Sequence, residues 1–331
     1  MLRFSSGALG LVLFLTLSMA KAAVANATEN LWPESGRSIQ VIVPAQAGSG
    51  IGNTIARVVT EALSQNLGNR IVLHNFTSST NLPSMLSAID ANSDGYTLLF
   101  ATVDTLVIEP TLQGSASADP LEYFTPIGLV AQTPHILLVN DALPVESVTD
   151  LTQYLSKYPG MVHFGSAGNG SAMHLAAEAY MSATGTNMVH VPYSAAEPAT
   201  NNLMSGDIQV MFQVVSGVLN YVRTDRVRAL AVMADERSTA LPHIPSMAEA
   251  WYPELQASKW YALLAPRGTP AAIIRRYNTA LNQILASDQL QERLLEVGAT
   301  PTGGSPYKLR VFLQDEMQKW GDIIREAHMP R

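Results

Sequence analysis

Cysteine is absent from the 331-residue chain. That excludes thiol nucleophiles, disulfides, cysteine metal sites and a lipid anchored on cysteine behind a leader. Charge is scarce too: Asp, Glu, Lys and Arg make up 14% of residues, with a formal net charge of −7. So little basic charge argues against nucleic acid and against anionic membrane surfaces as partners. Beyond the N-terminal segment no stretch is apolar for long enough to span a bilayer. The seven histidines are scattered and no two stand at the i, i+4 spacing of a helical zinc site. Neither Ser166 nor Ser171 lies in a G-x-S-x-G elbow. These absences predict neither metal nor cofactor, and no catalytic residue.

The N-terminal segment reads as a secretory signal peptide over residues 1–27. Arg3 supplies its positive start and Ala8 to Met19 an apolar core too short for a span. Small-x-small cleavage sequences follow at Ala23-Val24-Ala25 and Ala25-Asn26-Ala27. The mature chain is therefore expected outside the cytoplasm, as a soluble exported protein. Its length suits two compact α/β units.

Strand and helix patterns alternate from Ser38 onward. Ile39, Val41, Ile42 and Val43 are strand-like, and a loop from Pro44 leads to Asn53, read as a helix N-cap. Ile55, Val58, Val59, Ala62 and Leu63 then recur at helical spacing. Strands follow at Ile71 to His74 and Tyr96 to Ala101, and the pattern restarts with a strand over Ile136 to Val139 and a helix over Val148 to Tyr158. Further strands are expected at Val162 to Phe164, Met188 to Val191, Ile208 to Phe212, Val227 to Met233 and Trp260 to Ala265. Helices fill most of the remainder. Such alternation predicts a mostly parallel sheet with helices on both faces. Two similar units joined twice suggest a clam-shell, one half being 28–128 plus 254–331 and the other 129–253. A ligand would lie in the cleft, at the carboxyl ends of strands.

The most informative stretch runs from Val162 to Glu178. A short apolar run ends at Phe164, a loop carries Gly165, Gly168 and Gly170, and Ser171 opens a helical pattern. Glycines let several backbone N–H groups converge, and the positive end of the helix lies behind them, so the turn suits an anion. A second glycine loop, Ala45-Gln46-Ala47-Gly48-Ser49-Gly50-Ile51-Gly52, falls short of a dinucleotide fingerprint because Asn53 stands where its last glycine belongs. No lysine follows it, so it is not a Walker loop either. Two such loops, one from each unit, would hold a carboxylate between them without formal positive charge. His174, one turn into the helix, either touches ligand or supports the loop. Tyr193, in the turn Pro192-Tyr193, either closes over the cleft or packs on the surface.

These residues resemble the periplasmic solute receptors of tripartite tricarboxylate transporters, the Bug family. The resemblance runs through Ile42-Val43-Pro44, Asp94-Gly95-Tyr96-Thr97-Leu98-Leu99, Phe124-Thr125-Pro126-Ile127, Phe164 to Ser171, His190-Val191-Pro192-Tyr193 and Gly268-Thr269-Pro270. It implies a two-domain α/β periplasmic-binding-protein (Venus flytrap) fold with two crossovers. It also implies a non-catalytic, monomeric receptor that delivers a small mono- or dicarboxylate to the membrane permease. The carboxylate would be held by Ala45, Gln46, Ala47, Gly48, Ser49 and Gly50 on one side. Ser166, Ala167, Gly168, Asn169, Gly170 and Ser171 would face them, with His174 and Tyr193 nearby. The chain departs from the family pattern after Asn75, where Phe76-Thr77-Ser78-Ser79-Thr80-Asn81 replaces a glycine-rich loop. Ser79 or Thr80 is accordingly expected to meet the end of the ligand remote from the main carboxylate.

Overall fold

The computed structural model describes residues 32–45, 50–76, 82–113 and 119–327; the signal-peptide reading lies outside them. Among these residues ten strands form one hydrogen-bonded sheet, ordered β2-β1-β3-β9-β4-β7-β5-β6, with β8 and β10 both paired to β4. The strands are β1 (Ile39–Val43), β2 (Ile71–Asn75), β3 (Thr97–Thr102), β4 (Phe124–Val139) and β5 (His163–Ser166). β6 (Val189–Pro192), β7 (Val210–Val214), β8 (Arg228–Val232), β9 (Ser258–Pro266) and β10 (Thr300–Gly303) complete it. Parallel pairing joins β2, β1 and β3, and again β6, β5 and β7. β4 and β9 run antiparallel to their neighbours between these two sets.

The strand β4 belongs to both sets. It pairs β9 from Phe124 to Pro134, then β7 and β8 from His135 and Ile136 to Val139. The return crossing lies between Met233 and Ala257, where Ala257 N–H donates to Met233 O (3.0 Å) and His135 N–H to Ala257 O (2.8 Å). Only the last residues of β4 read as strand in the sequence, because Pro126, Gly128 and Pro134 interrupt the rest. The pairing tolerates those interruptions by shifting register at Pro126/Gly128.

Helices α1 (Gly50–Leu67) and α2 (Leu82–Ile89) follow β1 and β2. A π-helical turn (Asp104–Ile108) and α3 (Glu109–Leu112) follow β3. In the other set stand α4 (Val148–Lys157), α5 (Ala172–Thr184), α6 (Ala196–Ser205) and α7 (Val215–Arg223). The chain closes with α8 (Ala271–Leu285), α9 (Asp288–Glu296) and α10 (Pro306–Glu326). Ile55, Val59 and Leu63 of α1 and Ile273, Tyr277 and Leu281 of α8 pack with Val41, Phe100, Tyr261 and Leu263 on one face of the sheet. Leu309, Leu313 and Trp320 of α10 pack with Ile42, Leu99, Trp260 and Ala262 on the other. Strands covered on both faces must be largely apolar, as Leu98 to Ala101 are, and as Ile39 to Val43 are but for the half-buried Gln40. No described helix is long and apolar enough to cross a membrane.

Candidate ligand-binding site

The turn from β5 to α5 is built from its own side chains. Ser166 is fully buried; its Oγ accepts from Gly168 N–H (3.1 Å) and donates to Gly168 O (3.0 Å). Ser171 caps α5: its Oγ accepts from His174 N–H (3.3 Å) and donates to Gly168 O (2.8 Å). His174 Nδ1 accepts from Gly170 N–H (3.1 Å), so the proton of the neutral ring sits on Nε2, which faces Glu178 Oε1 at 3.2 Å. Gly168 and Gly170 adopt φ of 111° and 74°, a left-handed region costly to residues with a Cβ. Once these bonds are made, the N–H groups of Ala167, Asn169, Ala172 and Met173 have no hydrogen-bond partner among the described residues. Asn169 is exposed, while Ala167 and Gly168 are half-buried.

Behind the turn the rings of Phe164, His190 and His174 are stacked, the two imidazoles 3.8 Å apart and 11° from coplanar. Burial, reinforced by His174, pushes the His190 pKa down to about 4. His190 Nε2 lies 2.6 Å from Ser166 Oγ. With the serine proton given to Gly168 O, the oxygen is left to accept from His190. Tyr193 anchors the neighbouring turn, its N–H donating to Ser166 O (3.0 Å) and its hydroxyl accepting from Asn202 Nδ2 (2.7 Å). It also abuts Gly165, where a Cβ would lie 3.3 Å from the tyrosine ring and 2.3 Å from Ile208 Cδ1.

The turn from β1 to α1 is described at both ends. Ala45 O accepts from Asn75 Nδ2 (2.9 Å), and Gly50, with φ of 70°, is the first helical residue. Gln46, Ala47, Gly48, Ser49, Ser79 and Thr80 lie outside the described residues. Asn53 does not cap the helix. It sits within the first turn, buried, its Oδ1 accepting from Asn75 Nδ2 (3.3 Å). α1 starts three residues earlier, at Gly50, whose φ of 70° a glycine adopts without strain.

A family model, "Tripartite tricarboxylate transporter family receptor", matches residues 55–329. The chain belongs to this receptor family. BugT of Bordetella pertussis is 34% identical over 292 residues, covering 88% of this chain and 89% of that protein. Among solved structures, R. palustris Rpa4515 with adipate is 30% identical with a TM-score of 0.77, over 90% of this chain and 99% of that one. MatC (Rpa3494) from Rhodopseudomonas palustris, with bound malate, is 26% identical with a TM-score of 0.70, over 88% and 99%. The fold is that of periplasmic solute-binding proteins, an α/β Venus flytrap.

The receptor also carries a polar cluster that sequence reasoning passed over. Lys259, the second residue of β9, pairs with Asp104 at 2.8 Å, their side chains 31% and 29% exposed. Burial alone would raise the Asp104 pKa, but the charge and hydrogen bond of Lys259 outweigh it and hold the carboxyl below its usual range. Asp104 in turn raises the Lys259 pKa. Tyr261, fully buried on the same strand, stacks on Phe100, and burial pushes its pKa up to about 12. Its hydroxyl has no hydrogen-bond partner among the described residues. Periodicity marks Tyr261 only as a core aromatic. Nothing in the sequence near Lys259 announces Asp104, 155 positions earlier.

Proposed function

We propose that this receptor captures a small organic carboxylate between two lobes and hands it to the permease of a tripartite tricarboxylate transporter. The observation that carries this is the β5–α5 turn. Its side chains hold its own backbone in place and leave the N–H groups of Ala167, Asn169, Ala172 and Met173 unpaired at a helix N-terminus, which suits an anion. The carboxylates held by Rpa4515 and MatC support the same ligand class. Ala45 to Gly50 would supply the opposing contacts, and Ser79 and Thr80 those at the far end. His174 supports the loop through Nδ1 while Nε2 faces Glu178 on α5, and Tyr193 braces it from the end of β6.

The lobes we propose are 28–128 with 254–331, and 129–253. They would move about the stretches where β4 changes partners after Pro134 and the chain recrosses before Ala257. Closure brings both loops onto one anion, so ligand shifts the population toward the closed form. Read as a cleaved leader, the N-terminal segment would send this action to the periplasm, with the receptor acting as a monomer. The same closed shape would serve a signalling partner as well as a permease.

The contact between Ser166 and His190 also raises hydrolysis. An activated serine needs a free, oriented base. Here the serine is buried and its proton is engaged by Gly168, while Glu178 faces His174 and not His190. This favours binding over turnover. Replacing both Ser166 and Ser171 by alanine should cost carboxylate affinity roughly ten- to a hundredfold by titration calorimetry. Scattering should show a smaller radius of gyration with ligand, and mass spectrometry should recover the acid intact. Unchanged affinity in the folded double variant, or turnover of the acid, would defeat the reading.

A further inference from the structure

We propose that Lys259 and Tyr261 form the far wall of the ligand site and hold the second acidic end of a dicarboxylate. The proposal rests on the carboxylate-receptor reading and names residues for the part of the ligand that the glycine loops do not reach.

Register places the pair at the carboxyl end of β3, where an open α/β sheet takes its ligand. β9 runs antiparallel to β3, and Tyr261 stands opposite Thr102, the last residue of β3. Lys259 is therefore two residues beyond the carboxyl end of that strand, on the face that carries Tyr261. Asp104 reaches it from the π-helical turn that follows β3. Such turns are rare and concentrate at functional sites. The first turn of α1 crosses the same spot: a Cβ on Gly52 would lie 3.2 Å from Tyr261 Cε1 and 3.9 Å from its hydroxyl. On the other side of β9, Thr133 stands opposite Lys259. Its Oγ1 accepts from the N–H of Ser216 (3.4 Å), in the first turn of α7. The first turns of two helices, one from each set of strands, thus meet the neighbours of Lys259: α1 at Tyr261 and α7 at Thr133.

The chemistry there is that of unspent donors. An ammonium has three N–H groups; Asp104 is the hydrogen-bonding partner given to Lys259 among the described residues. Tyr261 adds a hydroxyl that is fully buried and unpaired, an arrangement that costs stability unless a partner arrives. Lys259 cancels the charge of Asp104, and the positive ends of α1 and α7 remain, each worth roughly half an elementary charge. The local field therefore favours an anion. A carboxylate brings four lone-pair sites for two ammonium donors and one phenol. An aliphatic tail would leave all three unmet.

The test is calorimetric titration of a panel of dicarboxylates, from malonate to adipate and including malate, beside monocarboxylates of equal length. The wild-type protein should prefer dicarboxylates. Tyr261→Phe, which removes only the unpaired hydroxyl, should weaken them about tenfold and leave monocarboxylates within about twofold. The double variant Asp104→Asn with Lys259→Gln, which strands no charge, should narrow the same selectivity. A merely structural hydroxyl predicts the reverse for Tyr261→Phe: unchanged affinities and a higher melting temperature. That result, or wild-type preference for monocarboxylates, would overturn the assignment while leaving the receptor reading intact. Failure of the wild-type protein to bind any of these acids would remove the receptor reading itself.

Discussion

Two strand-to-helix turns at the carboxyl ends of neighbouring parallel strands solve one problem in opposite ways. The turn from β5 to α5 satisfies its backbone locally: Gly168 N–H goes to Ser166, Gly170 N–H to His174 and His174 N–H to Ser171. The turn from β7 to α7 contains no glycine before its first helical residue, and its N-cap is Val214, which offers no side-chain bond. Val214 N–H turns back to Gln213 Oε1 (2.8 Å). Ser216 N–H reaches Thr133 Oγ1, 83 positions away, and that hydroxyl donates in turn to Gly298 O, 165 positions from Thr133. One turn is held by its own sequence, the other by the assembled fold. Mutations remote in sequence should therefore damage the second far more than the first.

The largest effect is expected at Gly298. Its φ is 71°, and a Cβ there would lie 3.0 Å from Ser216 Cα and 3.1 Å from Ser216 N, both backbone atoms. Gly298→Ala therefore combines a left-handed penalty with a wedge driven into the first turn of α7. A loss of about 3 kcal/mol is expected in urea denaturation. A loss below about 1 kcal/mol would mean that α7 is not seated on this contact.

Acid should strain both turns, but unequally. His135, beside Thr133 on β4, has its pKa pushed down to about 4, chiefly by burial; Asp104, Lys259 and Lys319 are the charges that act on it. His190 is also held near 4 by burial and the neighbouring His174, with the charge of Glu178 opposing them. Unfolded histidine binds its proton near pH 6.5, so between about 6.5 and 4 the unfolded chain binds more protons than the folded one. Stability is then full above pH 6.5 and falls as pH drops through this window. For fully buried His135 the loss should reach on the order of 2 kcal/mol; for half-buried His190 solvent makes it smaller. His135→Leu should flatten the acid limb of the stability curve more than His190→Gln does. Equal flattening would contradict the difference in burial.

The same contrast explains what the sequence made legible. The β5–α5 turn could be read because Gly165, Gly168, Gly170, Ser171 and His174 all lie within one short run, where spacing alone dictates geometry. The alternation of strand and helix was equally open, since Ile39 to Val43 and Ile55 to Leu63 carry their periods in the clear. Helix α7 went unread because Val214 offers no capping side chain and the amide of Ser216 is held by Thr133 of β4. Strand β10, at Thr300–Gly303, has little apolar character and exists through pairing with Leu129 to Gln132. Asn53 misled because a good capping residue stood one turn inside a helix that Gly50 had already started. Lys259 and Asp104 meet only after β3 and β9 pair.

Thr133→Val keeps the shape of the side chain and removes both of its hydrogen bonds. The half-buried Ser216 N–H and the buried Gly298 O then lose a partner together, which should cost about 1 to 2 kcal/mol. Hydrogen exchange should quicken at the Ser216 amide and leave the His174 amide unchanged. Protection retained at Ser216 would show that α7 does not depend on β4.

The mildest change is expected at Ser171, although it is the better cap. Ser171→Ala removes the acceptor of His174 N–H, and an N-cap of this kind contributes about 1 kcal/mol. The rest of the turn keeps its shape, because His174 Nδ1 still holds Gly170 N–H and Ser166 Oγ still holds Gly168. Exchange should therefore quicken at the His174 amide alone, while Gly168 and Gly170 stay protected. Ser171→Asp should restore the cap, since its carboxylate accepts the same bond and favours the positive helix end. That carboxylate would also stand where the ligand's anion is proposed to lie. Stability should then return while carboxylate affinity falls, which separates the capping role of this residue from its place in the site. Should Ser171→Asp bind carboxylates as tightly as the native serine, the anion does not sit at the start of α5, and the unpaired N–H groups of this turn serve something else.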